Sequence, residues 1–109
     1  TFDNNGNLLV SDVENYRIRR INPEGEVSTL AGNGLPGYRD GFCLSAMFNF
    51  TQGLAVSDTG DIFIADCQNH VIRRIENSTK IVSTFCGMVS TGHHWRDGEP
   101  HQALFNYPT

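Results

Sequence analysis

Apolar residues along this chain fall into short runs with turn residues on either side. In the second half the runs are GLAVSD from Gly53, DIFIAD from Asp61, HVIRRIE from His70 and KIVSTFC from Lys80, each bounded by Gly, Asn, Asp or Ser. That pattern predicts four short strands folded as an antiparallel meander. Along DIFIAD both alternating sets are apolar, Ile62 and Ile64 on one side and Phe63 and Ala65 on the other. Both faces of the sheet must therefore be covered. A single four-stranded sheet cannot cover its own faces, whereas similar sheets stacked around an axis do so, which is the propeller arrangement.

Internal repetition carries the same conclusion further. The run GNLLVSDVENYRIRRI from Gly6 lies over GDIFIADCQNHVIRRI from Gly60, with the glycine, the aspartate, the asparagine and the closing IRRI in common. EVSTLAG from Glu26 then matches IVSTFCG from Ile81, RDG at Arg39 matches RDG at Arg96, and AMFNFTQ from Ala46 matches ALFNYPT from Ala103. The chain is two copies of one unit of roughly 55 residues, a period in the range of repeat architectures. The expected division is a first blade over residues 1–52, lacking most of its inner strand, and a second over residues 53–109 with a link to a following blade.

The residues VSTLAGNGLPGYRDG, AMFNF, GLAVSDTGDIFIAD and NHVIRRI resemble the NHL repeat, with Asn69, His70 and Val71 in the place of the naming triplet and Asn15, Tyr16 and Arg17 as a departure in the first copy. The resemblance covers essentially the whole chain. It implies an all-β fold of four-stranded propeller blades, about two of them present, from a ring that in this family is commonly six-bladed. Other blades, from a longer chain or from further copies, are then the first expected partners. Thr109 aligns with Gln52 and Thr1 with Ala55, so the sequence is expected to be cut within a blade and, alone, to expose sheet faces and an unpaired edge.

Strand parity predicts which loops lie together. The turns between second and third strands (Asp12 to Tyr16, Asp66 to His70) and the blade links (Gly32 to Phe50, Gly87 to Tyr107) fall on one face, and ligands of repeat proteins commonly meet such loops. Tyr38, Arg39, His93, His94, Trp95 and Arg96 are the candidate binding residues there.

Composition narrows the chemistry. The 109 residues carry a net charge of −4, and the eight basic residues are dispersed, so nucleic acid is not an expected partner. No apolar run is long enough to cross a membrane, and no leader sequence is visible. The first residue is not Met, which places the expected N-terminus of the protein elsewhere.

Candidate reactive residues mostly read as structural. His93 and His94, with His101 seven residues on, invite a zinc hypothesis because a peptide-amidating enzyme of the NHL type uses histidine-bound zinc. Adjacent histidines diverge, however, and no cysteine or carboxylate completes the set. No metal and no cofactor are expected. His70 reads as a turn residue. Arg19 and Arg20 recur as Arg73 and Arg74, on opposite faces of their strands, and one of each pair is placed to meet the recurring Asp12 or Asp66. A site that appears identically in both copies indicates a shape requirement, since an active site would appear once.

Cys43, Cys67 and Cys86 all lie near the loop-rich face, so one disulfide among them is conceivable. Asn49-Phe50-Thr51 and Asn77-Ser78-Thr79 match the glycosylation acceptor pattern. Together these point to a secreted, extracellular setting, with the cytoplasm as the alternative. The functional expectation is a non-catalytic propeller segment that binds protein or glycan, or serves as a scaffold. Part of a zinc-dependent NHL propeller lyase is the alternative, and RNA binding, which needs a continuous basic face, comes third.

Overall fold

A computed structural model of the chain describes residues 1–87. Strands β1 (Leu8–Asp12), β2 (Arg17–Ile21) and β3 (Val27–Ala31) form one antiparallel sheet. Strand β4 (Gly41–Phe42) joins β5 (Thr51–Val56), β6 (Ile62–Asp66), β7 (Val71–Ile75) and β8 (Ile81–Gly87) in a second, ordered β4-β8-β7-β6-β5. The predicted meander is present in both, and the remnant of the first blade's inner strand is the bridge between Phe2 and Leu8. Both blades carry a register shift at the same repeat position, between Ile18 and Arg19 and between Ile72 and Arg73.

The recurring Asp-to-Asn turn has one local cause in both copies. After Asp12 and Asp66 the chain makes a single turn of 3-10 helix and then enters the left-handed region at Tyr16 and His70, each with φ 56°. His70 is exposed and is held there by its backbone, its amide donating to the Cys67 carbonyl at 3.1 Å. Asn, Asp and His are the non-glycine residues that most often adopt this conformation; the tyrosine in the first copy shows that the turn dictates the geometry.

The predicted two-faced burial of β6 is realised. Ile62 and Ile64 pack toward the first blade, in a core with Leu9, Ile18, Leu30 and Ala31 of that blade, Ile75 and Val82 of the second, and Cys43, Ala46 and Phe48 from the link. On the opposite face Ala65 and Ile72 cluster with Phe63, Cys67 and Cys86, and Phe63 meets Phe85 edge to face at 5.0 Å. Each fully buried Ile or Phe contributes about 1.5–3 kcal/mol, so the interface between blades is the main hydrophobic core of the described residues. It is also stitched at its ends: Ser11 Oγ donates to the Gln52 carbonyl at 2.8 Å, and Asn4 Nδ2 to the Ser57 carbonyl at 3.1 Å.

The first link carries a short strand of its own. Gly41 pairs with Val82 and Phe42 with Ile81, and the Cys43 amide donates to the Lys80 carbonyl at 2.9 Å. The link thus supplies a fifth strand that covers the outer edge of the second blade. A two-residue strand has no alternation to betray it in the sequence. The edge of β8 is covered in this way, whereas β3 gains no outer neighbour among the described residues. The loop parity follows the prediction: Gly32 lies against Tyr16, and Cys67 and Gln68 donate to the carbonyls of Phe50 and Asn49.

Candidate functional site

The loop-rich face is organised around one buried arginine. Arg73 comes from β7 with no exposed side-chain surface, and its Nη1 donates to Asp66 Oδ2 at 2.7 Å and to the Met47 carbonyl at 2.8 Å. Its Nη2 donates to the Arg39 carbonyl at 2.7 Å and to Asp40 Oδ1 at 2.9 Å, and its Nε donates to the same Asp40 oxygen at 3.2 Å. The rings of Tyr38 and Phe48 lie 4.8 Å and 4.9 Å from its guanidinium carbon, in the range of cation–π attraction. A buried guanidinium needs every donor filled, and the link supplies most of the partners.

Asp66 is bound as tightly. Besides Arg73 it accepts from the Asn49 amide at 2.8 Å and from Asn69 Nδ2 at 2.8 Å, while the same Asn69 nitrogen donates to the Gly37 carbonyl. Burial pushes its carboxyl up from the usual carboxylate range, and the hydrogen bonds from Asn69, the Asn49 amide and Arg73 pull against that rise. The predicted structural roles of the recurring Asp and Arg are thus realised in both copies, with Arg19 Nε donating to Asp12 Oδ2 at 3.0 Å in the first blade. The neighbouring Arg74 turns to the other face of β7 and donates to Asp61 Oδ2 at 2.6 Å. The Asn77 amide donates to Asp61, and with Arg74 this holds that carboxyl below its ordinary value.

What the hub leaves at the surface is a tip. Leu35 and Tyr38 are 60% and 53% exposed, and Arg39 is exposed beside them. Tyr38 is fixed from beneath by Arg73 and by a hydrogen bond between its hydroxyl and Thr84 Oγ1. An aromatic and an arginine displayed on a rigidly seated loop suit a contact surface. His93, His94, Trp95 and Arg96, the other predicted binding residues, lie outside the described residues, as does His101. Among the described residues no cluster of His, Cys, Asp and Glu is arranged to hold a metal.

The expected disulfide is not formed, and all three cysteines are free. Cys43 lies in the core between the blades, whereas Cys67 and Cys86 belong to the cluster on the opposite face of the second sheet, so the sheet itself separates Cys43 from the other two. Burial pushes the Cys67 and Cys86 thiols up, with the Asp66 charge adding to the effect at Cys67. The two glycosylation triplets also differ in setting: Asn49 is half-buried with Thr51 buried behind it, while Asn77 is exposed in the turn after β7.

Three partners of the hub, Asp40, Phe48 and the Met47 carbonyl, were missed from sequence. The signal was present in the recurring RDG and in the phenylalanine shared by AMFNF and ALFNY. The arginine of RDG, Arg39, instead faces solvent with its side chain, and only its carbonyl reaches the hub.

The chain resembles longer proteins whose names carry the same repeat. It is 34% identical over 81 residues to NHL repeat-containing protein 2 of Bos taurus, covering 74% of this chain and 11% of that protein. Against the Gallus gallus protein of that name it is 34% identical over 89 residues, 81% of the chain and 12% of the protein. A similar stretch, 36% identical over 74 residues, occurs in Protein SUPPRESSOR OF QUENCHING 1, chloroplastic, of Arabidopsis thaliana, with 67% of the chain and 7% of that protein covered. No family model matches the chain. It spans roughly a tenth of the length of these relatives. Among solved structures, a structural genomics protein of unknown function from Bacteroides thetaiotaomicron VPI-5482, of propeller type, superposes with a TM-score of 0.72 at 27% identity, over 77% of this chain and 22% of its own. Repeat pattern, blade geometry and these likenesses agree: the chain is a segment of about two blades that belongs to the NHL-repeat β-propeller family.

Proposed function

We propose that this segment of a propeller scaffold acts without catalysis, as a binding surface for a protein or glycan ligand presented to its loop-rich face. The observation that carries the reading is the division of labour in the first link. Its base is spent on Arg73 and Asp66, and its tip holds Leu35, Tyr38 and Arg39 outward. The charged groups nearest the tip are committed to fixed ion pairs, so what is offered to a ligand is shape, apolar surface and one cation. An extracellular setting belongs to this proposal through Asn77, the exposed acceptor asparagine.

The test compares the wild-type chain with a Leu35→Ser, Arg39→Ala variant on a glycan array and against a displayed peptide library. Ligands retained by the wild type and lost by the variant, at unchanged circular dichroism, support the reading. Identical profiles overturn it.

A further inference from the structure

The turns that precede β1 and β6 share one backbone and differ in chemistry. In residues 3–7 and in residues 57–61 the first amide donates to the last carbonyl, at 2.8 Å and 2.9 Å, and the fourth residue is a glycine with φ of +84° and +86°. The second turn ends on Asp61, whose Oδ2 accepts from Arg74 Nη2 at 2.6 Å and Nε at 3.0 Å, and Glu76 adds another carboxylate at 3.6 Å. In the first blade the counterparts of both acids are asparagines, Asn7 and Asn22. The carboxylate stands instead at the head of the turn. There Asp3 Oδ1 accepts from the amides of Asn5 and Asn7 at 2.9 Å and 2.8 Å, and its Oδ2 from Asn7 Nδ2 at 2.9 Å.

Arg20, the repeat counterpart of Arg74, is the residue this exchange affects. Among the described residues its guanidinium has no ion pair and donates to no acceptor. Arg20 pairs with Leu9 on β1 and Ser28 on β3, and Leu9 packs in the core between the blades, so Arg20 faces the second blade. It lines a cleft of about 140 Å3 floored by Leu9, Leu30 and Ile62. Asn5, Asn77 and Lys80 stand at the exposed rim. Asn4 Nδ2 reaches across to the carbonyls of Ser57 and Asp58 at 3.1 Å and 3.3 Å, which fixes the spacing of the two turns. Both walls therefore belong to described blades, at the end of the sheets opposite the loop-rich face.

We infer that this cleft binds a small hydroxylated carboxylate, of the uronic acid class, with Arg20 as its anchor. Arg20 and Lys80 against Asp3 leave one net positive charge in the lining, which matches a monocarboxylate. A guanidinium fork takes a carboxylate through two parallel bonds, and Asp61 is a carboxylate held by Arg74 at the same repeat position. Lys80 gives one donor to Asn77 Oδ1 at 2.9 Å and has two more. The side-chain amides of Asn5 and Asn77 suit hydroxyl groups, and the apolar floor suits the C–H face of a sugar ring. The cleft is smaller than the roughly 300–1,000 Å3 of sites for drug-sized ligands, which limits the occupant to a single ring. It is separate from the tip formed by Leu35, Tyr38 and Arg39.

The 109-residue chain, produced without glycosylation because Asn77 stands on the rim, is titrated with D-glucuronate while backbone amide shifts are followed by NMR. Saturable shifts at Asn5, Gly60 and Asn77 are expected, with none from glucose and weaker binding of acetate. Arg20→Ala should weaken glucuronate binding roughly tenfold or more, the loss of hydrogen bonds from a charged donor. A second variant, Asp3→Ser with Asn7→Asp, gives the first turn the chemistry of the second at unchanged net charge. It keeps the fold, supplies Arg20 with an internal carboxylate and should abolish the shifts. Absence of saturable shifts, an equal response to glucose, tighter binding of inorganic phosphate, or binding retained in the turn-swapped variant each overturns the inference. None of these outcomes involves the loop-rich face, so failure here is separate from failure of the ligand-binding reading there.

Discussion

Arg73 and Asp66 meet at 2.7 Å between neighbouring strands of the second blade, and neither side chain has any exposed surface. The pair joins β6 to β7, but its remaining bonds run to the link, through Asp40 and through the carbonyls of Arg39 and Met47. Removing either partner leaves the other charge buried. Arg73→Ala is expected to cost about 3–5 kcal/mol, measured by urea denaturation. Asp40→Ala, at a half-exposed carboxylate, should cost less than half of that.

Acid stability is expected to depend on Asp61. The Asn77 amide and the Arg74 guanidinium hold its carboxyl below the ordinary value in the folded chain. Above about pH 5 both folded and unfolded forms are ionised and the stabilisation is fully present. As pH falls further, the unfolded state takes up the proton first, and stability is lost down through the folded value. Asp61→Asn removes this component, so its stability should change less with pH below 4 than that of the wild type, as read from thermal melts at pH 3 and pH 5.

Gly32 has φ +99°, and a Cβ there would lie 2.4 Å from the Tyr16 carbonyl oxygen. Gly25 has a similar φ of +87° with open space around it. Both alanine variants incur backbone strain of about 1–3 kcal/mol, but only Gly32→Ala must also displace main chain in the loop-rich turn. Gly32→Ala is expected to melt at the lower temperature of the two, and equal melting temperatures would contradict the close approach.

Phe48 serves two structures at once, as a buried member of the core between blades and as one of the rings against Arg73. Phe48→Ala is expected to cost about 3–5 kcal/mol from lost burial and the resulting cavity. Phe48→Leu keeps much of the volume and loses the ring, so the difference between the two in equilibrium unfolding separates packing from the contact with the cation.

With all three cysteines free, alkylation in denaturant without reductant should modify Cys43, Cys67 and Cys86 alike. In the native chain all three should react slowly at neutral pH. Cys43 is buried, and the thiols of Cys67 and Cys86 are pushed up by burial, which keeps the reactive thiolate scarce. Mass spectrometry of the two samples reads both outcomes.

The sequence by itself determined the repeat, the four-strand meander and the face on which the loops gather. These depend on local properties written directly in residue types: alternation along DIFIAD, turn residues between runs, and recurrence of Asp12, Asn15 and Arg19 as Asp66, Asn69 and Arg73. An ion pair of Asp66 with one of Arg73 and Arg74 was legible too, because register between adjacent strands follows from a short turn; the structure selects Arg73. Only the tertiary structure decided what the link does. That Asp40 and the Met47 carbonyl reach Arg73, that Gly41 and Phe42 extend the sheet at β8, and that a sheet stands between Cys43 and the other two cysteines all depend on where an irregular segment crosses a neighbouring blade. Such a path is set by the summed packing of two blades and by the need to satisfy a buried guanidinium, and no periodicity within the link itself encodes it.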